Sequence, residues 1–316
     1  VDTELSGEVV VVGGGVIGLT TAVVLAERGH RVRVWTRDPV ERTTSAVAGA
    51  LWWPYRIEPV GLARAWALRS LDVYEELAAD PDRTGVRMVE GVLGEEELDD
   101  GFAWLTGRLP GLRAATAEEY AGTGLWARLP LIDMAAHLPW LRRRLLAAGG
   151  SVETRTVSDL AAVGASVVVN CTGLGARELV ADTSMVPVRG QLVVVENPGI
   201  RTWVVSKGAD GEMAYFFPQP GRLLLGGTAD DGAWSTEPDA AVAAAIVRRC
   251  AALQPEIAGA RVLDHRVGLR PARDAVRLER ELLPGGGMLV HNYGHGGAGV
   301  TVAWGCAEEA AGLASS

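Results

Sequence analysis

The chain has 316 residues, 48% of them hydrophobic, enough to bury one large core or two smaller ones, which excludes general disorder. Its formal net charge of -9 opposes a nucleic-acid surface, because counterion release needs clustered cations, so no nucleic-acid partner is expected and an anionic substrate would need a local cation. The three cysteines, Cys171, Cys250 and Cys306, show no metal-ligand spacing and are odd in number, so no metal and no disulfide framework are expected, and the setting read from them is reducing and cytoplasmic.

No apolar run reaches the ~18 residues of a membrane span, so no membrane partner is expected. Val9-Val10-Val11-Val12 is an unbroken β-branched run, the mark of a strand covered on both faces in a parallel sheet. Glycines follow; residues 17–28 then carry helical spacing up to Gly29, and residues 32–35 resume as a strand, which makes a βαβ unit. Between 59 and 79, Leu62, Trp66, Val73 and Leu77 share one helical face. Residues 95–100 read as a solvated loop. Residues 140–148 read as a helix closed by Gly149-Gly150, with Pro139 near its first turn, and 167–170 is another bare apolar strand.

From 187 to 227 the texture changes to short strands at 191–196, 203–205, 213–217 and 222–225, separated by Gly and Pro, which reads as an antiparallel sheet. A helix near 239–253, strands around 261–269 and 288–291, a glycine-rich turn and a helix from about Ala298 complete the chain. Parallel texture at both ends with antiparallel texture between predicts an α/β fold. A discontinuous Rossmann-like nucleotide-binding domain would span 1–75, 150–185 and 260–316, with an antiparallel-sheet substrate domain inserted as 76–149 and 186–259.

Gly13, Gly15 and Gly18 complete a G-x-G-x-x-G directly after a strand and at the opening of a helix. Gly13 permits the tight turn, Gly15 lets the backbone approach a pyrophosphate, and Gly18 lets helix and strand pack closely; the helix start, at Val16 and Ile17, supplies amide donors and positive potential. This motif alone does not separate FAD from NAD. Asp38 lies slightly late for the acid that holds ribose hydroxyls, and Thr36 sits nearer its usual place. Arg37 can face phosphate, and a plain Arg37–Asp38 ion pair is equally open.

The segment Thr43-Thr44-Ser45-Ala46-Val47-Ala48-Gly49-Ala50-Leu51-Trp52-Trp53-Pro54-Tyr55 is small and polar, then aromatic, and suits a backbone lying against a flat ligand. This segment, Val169-Asn170-Cys171-Thr172-Gly173, Tyr215-Phe216-Phe217-Pro218, Gly268-Leu269-Arg270-Pro271-Ala272-Arg273, Arg277-Leu278-Glu279-Arg280-Glu281 and His291-Asn292-Tyr293-Gly294-His295-Gly296-Gly297 together resemble the D-amino acid oxidase family, in the same order, over about residues 9 to 311.

The resemblance implies non-covalent FAD, held by the 13–18 turn, Arg37, Asp38, Thr43, Thr44, Ser45, Gly49, Ala50, Leu51, Thr172, Gly173, Gly296, Gly297, Ala298, Gly299, Val300 and Thr301. It implies oxidative deamination of a small D-amino acid to a 2-oxo acid, ammonia and hydrogen peroxide, by hydride transfer from the α-carbon to flavin N5 with dioxygen as acceptor. It assigns Arg270 to the substrate carboxylate, Tyr215 to the same carboxylate, and the Gly297 carbonyl to the substrate amine. A guanidinium that stays charged and forks onto two oxygens suits that task. Leu51, Trp53, Tyr55 and Gly211 would line the substrate pocket.

Animal members carry a lid tyrosine where this chain has Gly211, so an open site without an aromatic lid is expected. Trp53, where those members have a smaller polar residue, would narrow the pocket or simply pack. His291 and His295 are read as structural, because hydride transfer from an amino acid with a neutral amine needs no side-chain base. Oxidation of D-aspartate, kept open by Lys207, or of glycine and its N-methyl derivative, remains the nearest alternative; an NAD-dependent dehydrogenase is more distant, a non-catalytic nucleotide-binding module is disfavoured by the Tyr215 and Arg270 pair, and a homodimer is left open.

Overall fold

The computed structural model describes residues 7–105, 107–208 and 210–315; Ala209, part of the expected lid segment, and Ser316, at the chain end, lie outside the described residues. The first half of the chain forms β1 (Glu8–Val12), α1 (Val16–Glu27), β2 (Arg31–Thr36), α2 (Thr44–Val47), α3 (Val60–Leu77), α4 (Pro81–Thr84), β3 (Val86–Gly94), β4 (Arg113–Ala114), β5 (Gly124–Ile132) and α5 (Met134–Ala147). There follow β6 (Ser151–Thr154), β7 (Val167–Asn170), α6 (Ala176–Leu179), β8 (Val186–Glu196), β9 (Trp203–Lys207), β10 (Met213–Gln219), β11 (Arg222–Gly226), β12 (Asp230–Asp231), α7 (Ala240–Leu253), β13 (Val262–Leu282), β14 (Met288–His295) and α8 (Gly299–Ala314).

The strands join one mixed sheet in the order β4-β5-β3-β9-β10-β11-β8-β13-β14-β7-β1-β2-β6, with β12 beside β8. The run β14-β7-β1-β2-β6 is parallel. Its central strand β1 is buried from Val9 to Val12 because helices cover one face and residues such as Leu160 and Leu289 the other, as the bare valine run requires. On the far side β9, β10, β11, β8 and β13 pair antiparallel, and β3, itself antiparallel to β5, joins β9 in parallel.

β13 belongs to both textures. It pairs with β8 from Val262 to Ala272 and with β14 from Ala272 to Leu282, with a register shift between Ala272 and Arg277. Sequence reading stopped this strand at Leu269; the chain continues through Pro271 because that residue faces Pro187, at a pair where no amide is available on either strand. Arg270 therefore stands just before the irregularity, where the two textures meet.

α1 is apolar on nearly every face and is buried between the sheet and its neighbours, where it packs on α8 and α5. In α3, Trp66 and Val73 are buried as the helical spacing predicts, whereas Leu62 is exposed near the helix start. The helix expected at 140–148 begins earlier, at Met134, because Asp133 caps it by accepting from the Ala135 amide; Pro139 is thus interior rather than in the first turn. The strands β3 and β5 were not anticipated.

Among the described residues no helix is long and apolar enough to cross a membrane, and no group of three or more His, Cys, Asp or Glu could hold a metal. The three cysteines are buried and free.

Candidate functional site

A cavity of about 940 Å³ runs along the seam between the parallel strand ends and the antiparallel sheet. One wall is the β1–α1 turn: Gly13, Gly14, Gly15, Val16 and Ile17. Gly13 adopts φ +118, open to glycine alone at little cost, and a Cβ there would press on the Cys171 carbonyl. Gly18 is not on the wall; a Cβ there would collide with the Gly13 carbonyl, so its role is the close packing of helix on turn. The Val16 amide donates to Ser45 Oγ at 2.9 Å, which ties the 43–51 segment to the helix start. No acidic side chain lies in the first turn of α1, so the positive end of its dipole faces the cavity uncompensated.

At the end of β2, Trp35, Thr36, Arg37 and Asp38 line the cavity. Arg37 Nε donates to Asp38 Oδ2 at 2.9 Å, and the Thr36 hydroxyl donates to the Asp38 carbonyl at 2.7 Å. The Arg37–Asp38 ion pair is formed, and both residues stand on the cavity wall. Sequence reasoning missed Arg155, Thr156, Val157 and Ser158, which reach the same wall because β6 pairs with β2; the Arg155 guanidinium lies 3.9 Å from the Trp35 ring centroid.

Thr43, Thr44, Ser45, Gly49, Ala50 and Leu51 all line the cavity, with a single helical turn, α2, inside what sequence reading took as irregular chain. Thr172 and Gly173 join them; Asn170 Oδ1 accepts from both the amide and the hydroxyl of Thr172. Gly296, Gly297, Gly299, Val300 and Thr301 form the opposing stretch, at the start of α8, whose first turn also carries no acid; Ala298 is buried behind it. The Thr301 hydroxyl donates to the Trp53 carbonyl at 2.9 Å and accepts from its amide at 3.2 Å, fastening the aromatic segment to α8.

Tyr215, Arg270, Gly297, Tyr55, Leu51 and Trp53 also line this cavity, brought together from four separate stretches. Arg270 Nη1 donates to the Thr228 carbonyl at 3.0 Å. Burial pushes the Tyr215 phenol up, while the positive charge of the nearby Arg270 guanidinium pulls the other way. A Cβ on Gly297 would lie 3.1 Å from the Tyr55 ring and 3.5 Å from Arg270 Cδ. Gly211, in contrast, is off the wall, at φ +80 with open space around it. Thr228, Met213, Trp234 and Thr236 line the cavity without having been singled out, since they sit in strand ends and a loop with no motif of their own.

Both histidines are neutral near pH 7. Burial lowers His295 to about 3. Burial also lowers His291, the larger effect, against the Glu281 carboxylate 3.0 Å from Nε2, while Nδ1 meets Asn170. This fits their reading as structural residues.

The family model for FAD dependent oxidoreductases (DAO) matches residues 8–313. The chain belongs to the D-amino acid oxidase family of FAD-dependent oxidoreductases. It is 79% identical over 315 residues to a D-amino-acid oxidase of Streptomyces coelicolor, covering 99% of this chain and 98% of that one. It is 36% identical over 334 residues to a D-aspartate oxidase of Homo sapiens, covering 98% and 95%. Among solved structures, glycine oxidase from Geobacillus kaustophilus superposes with a TM-score of 0.81 at 23% identity, over 98% of this chain and 95% of that one, a likeness of fold.

Membership makes this chain a flavoenzyme and sets aside the NAD-dependent reading. Its residues fit the cofactor. Two helix starts without acidic side chains meet one cavity, and the Gly13 turn leaves no side chain between the backbone and a pyrophosphate.

Proposed function

We propose that this oxidoreductase deaminates neutral D-amino acids to 2-oxo acids, ammonia and hydrogen peroxide, with dioxygen as electron acceptor. The observation that carries the reading is the meeting of Arg270, Tyr215 and Gly297 on one wall of the glycine-lined cavity. Bound FAD would supply the hydride acceptor for the substrate α-carbon and the route for its electrons to dioxygen.

The β1–α1 turn would hold the pyrophosphate, while residues 43–51 and 296–301 would hold the ring from two sides. Arg270 forks onto the substrate carboxylate, and Tyr215, kept protonated by burial, donates its hydroxyl to the same group. The Gly297 carbonyl accepts from the amine. Carboxylate and amine are then both fixed, so the α-hydrogen of one enantiomer alone points at the acceptor. Catalysis on this account is orientation, with no side-chain base.

The parallel-sheet part, 1–75, 150–185 and 260–316, is read as the cofactor domain and the remainder as the substrate domain. Lys207, which kept acidic substrates open, is exposed and absent from the cavity wall, which favours neutral side chains. Peroxide formation across matched D- and L-amino acids, D-aspartate and glycine tests the proposal. Turnover of neutral D-amino acids above all others supports it, and preference for D-aspartate, glycine or an L-enantiomer overturns it.

A further inference from the structure

We propose that Gly190 and Thr228 are positioning residues that hold the Arg270 guanidinium in the orientation that receives a carboxylate; this rests on the reading of Arg270 given above. In the β8–β13 pairing, Gly190 faces Gly268 and Val188 faces Arg270. Directly opposed residues and residues two apart share a face of a sheet, so Gly190, Gly268 and Arg270 all present to the same side. Each of the three lines the cavity.

A Cβ built on Gly190 would lie 2.5 Å from both Nη atoms of Arg270 and 2.6 Å from Cζ. Distances this short to both Nη atoms and to Cζ mean that the guanidinium fills the space over Gly190 where a side chain would begin. All guanidinium donors lie in its plane and none on its face. A residue without a side chain leaves that space to the guanidinium and its N–H groups. Any other residue at 190 would tilt or lift the group.

Contact with Gly190 limits where the group can sit but does not set the direction of its donors. The bond from Nη1 to the Thr228 carbonyl removes that freedom, with the Tyr215 phenol on the same cavity wall. Thr228 is itself fastened to the neighbour of Gly190: its Oγ1 accepts from the Gln191 amide at 2.9 Å.

The loop that follows Thr228 is clamped from the same stretch of β8. The Arg189 side chain, only 8% exposed, donates to the Ser235 carbonyl at 3.0 Å, the Glu237 carbonyl at 2.7 Å and Gln191 Oε1 at 3.0 Å, and pairs with Asp230 at 3.3 Å. Arg189-Gly190-Gln191 thus forms both the floor under Arg270 and the anchors of the carbonyl that steers it. Neither Gly190 nor the Thr228 side chain has to touch a substrate to act in this way.

The test uses FAD-loaded wild type, Gly190→Ala, Thr228→Val, Thr228→Ser and Arg270→Ala. Measured are flavin content, KM and kcat for D-alanine, and the Kd of propionate, alanine's carbon skeleton without the amine, from perturbation of the flavin absorbance. Gly190→Ala and Thr228→Val should raise the propionate Kd and the D-alanine KM by roughly tenfold or more at unchanged flavin content, as misplacement of a binding group does. Thr228→Ser, which keeps the Oγ1 acceptor, should restore both.

Wild-type propionate affinity in Gly190→Ala and Thr228→Val alongside a large loss in Arg270→Ala overturns the inference and leaves the reading of Arg270 standing. Wild-type affinity in Arg270→Ala overturns both. Should Gly190→Ala not fold, the contrast between Val and Ser at 228 decides: equal propionate Kd in the two, or a fall in flavin content as the sole change, contradicts a positioning role.

Discussion

The ring of Tyr215 lies against Gly226, its cross-strand partner between β10 and β11, so closely that a Cβ on Gly226 would stand 2.5 Å from the phenol oxygen. The same ring stacks on Phe217 with centroids 4.8 Å apart. An aromatic covering a strand glycine is held in place by backbone rather than by a flexible neighbour. Tyr215→Phe, which keeps the ring and removes the donor, should weaken carboxylate binding by about 1 to 2 kcal/mol. Gly226→Ala should weaken it as well, although the hydroxyl is still present, because the ring must shift. Spectral titration with a carboxylate measures both. Wild-type affinity in Tyr215→Phe would remove this hydroxyl from the carboxylate site.

Gly18 is tested by Gly18→Ala. Its Cβ would meet the Gly13 carbonyl, and the helix would have to withdraw from the turn. Overpacking of this kind costs about 1 to 3 kcal/mol. The purified variant should therefore melt lower and carry less flavin than wild type. Full flavin content at an unchanged Tm would show that the helix–turn packing is not what shapes the cofactor cradle.

Acid should destabilise the fold through its buried histidines. His137 is fully buried and held at about 4, chiefly by desolvation, although the Thr84 carbonyl contact at 2.8 Å opposes this. The unfolded chain takes up that proton near 6.5, whereas the folded chain resists until about 4. Stability is therefore complete above pH 6.5 and is lost as pH falls from there toward 4, by on the order of 2 kcal/mol at pH 5 for this residue. His295 adds a loss of the same sign. Urea unfolding at pH 7 and pH 5 measures the difference, which should shrink in His137→Asn; an equal loss in wild type and variant would contradict the assignment.

An open site should release its product easily. Gly211 stands off the cavity wall in open space, where a lid aromatic would be expected in animal members. Rapid-reaction kinetics should find the rate of flavin bleaching by substrate close to kcat. A bleaching rate far above kcat, with slow oxo-acid release, would count against an open site.

Much of this was readable because the local signals and the tertiary requirement coincide. Val9 to Val12 is buried on both faces, and Gly13, Gly15 and Gly18 sit where strand meets helix. Tyr215, Arg270 and Gly297 converge as the family resemblance implies. What was not legible depends on partners far along the chain. β3 carries Gly91, which breaks any apolar alternation, yet that glycine is required because Trp203, from β9, lies where its side chain would be. Arg155 to Ser158 reach the cavity only because β6 pairs with β2, and Thr228 matters only because Arg270 is folded onto it. Pro139 reads as the first turn of α5 because proline is favoured there, whereas the helix starts at Met134, behind the Asp133 cap.

Anaerobic mixing of the yellow enzyme with D-alanine or L-alanine, in wild type and Arg270→Ala, tests the central claim most directly. The account predicts that D-alanine bleaches the flavin absorbance, that L-alanine does not, and that Arg270→Ala binds D-alanine about 2 to 5 kcal/mol more weakly. Bleaching by both enantiomers alike, or half-saturation of Arg270→Ala at the wild-type concentration, would contradict it.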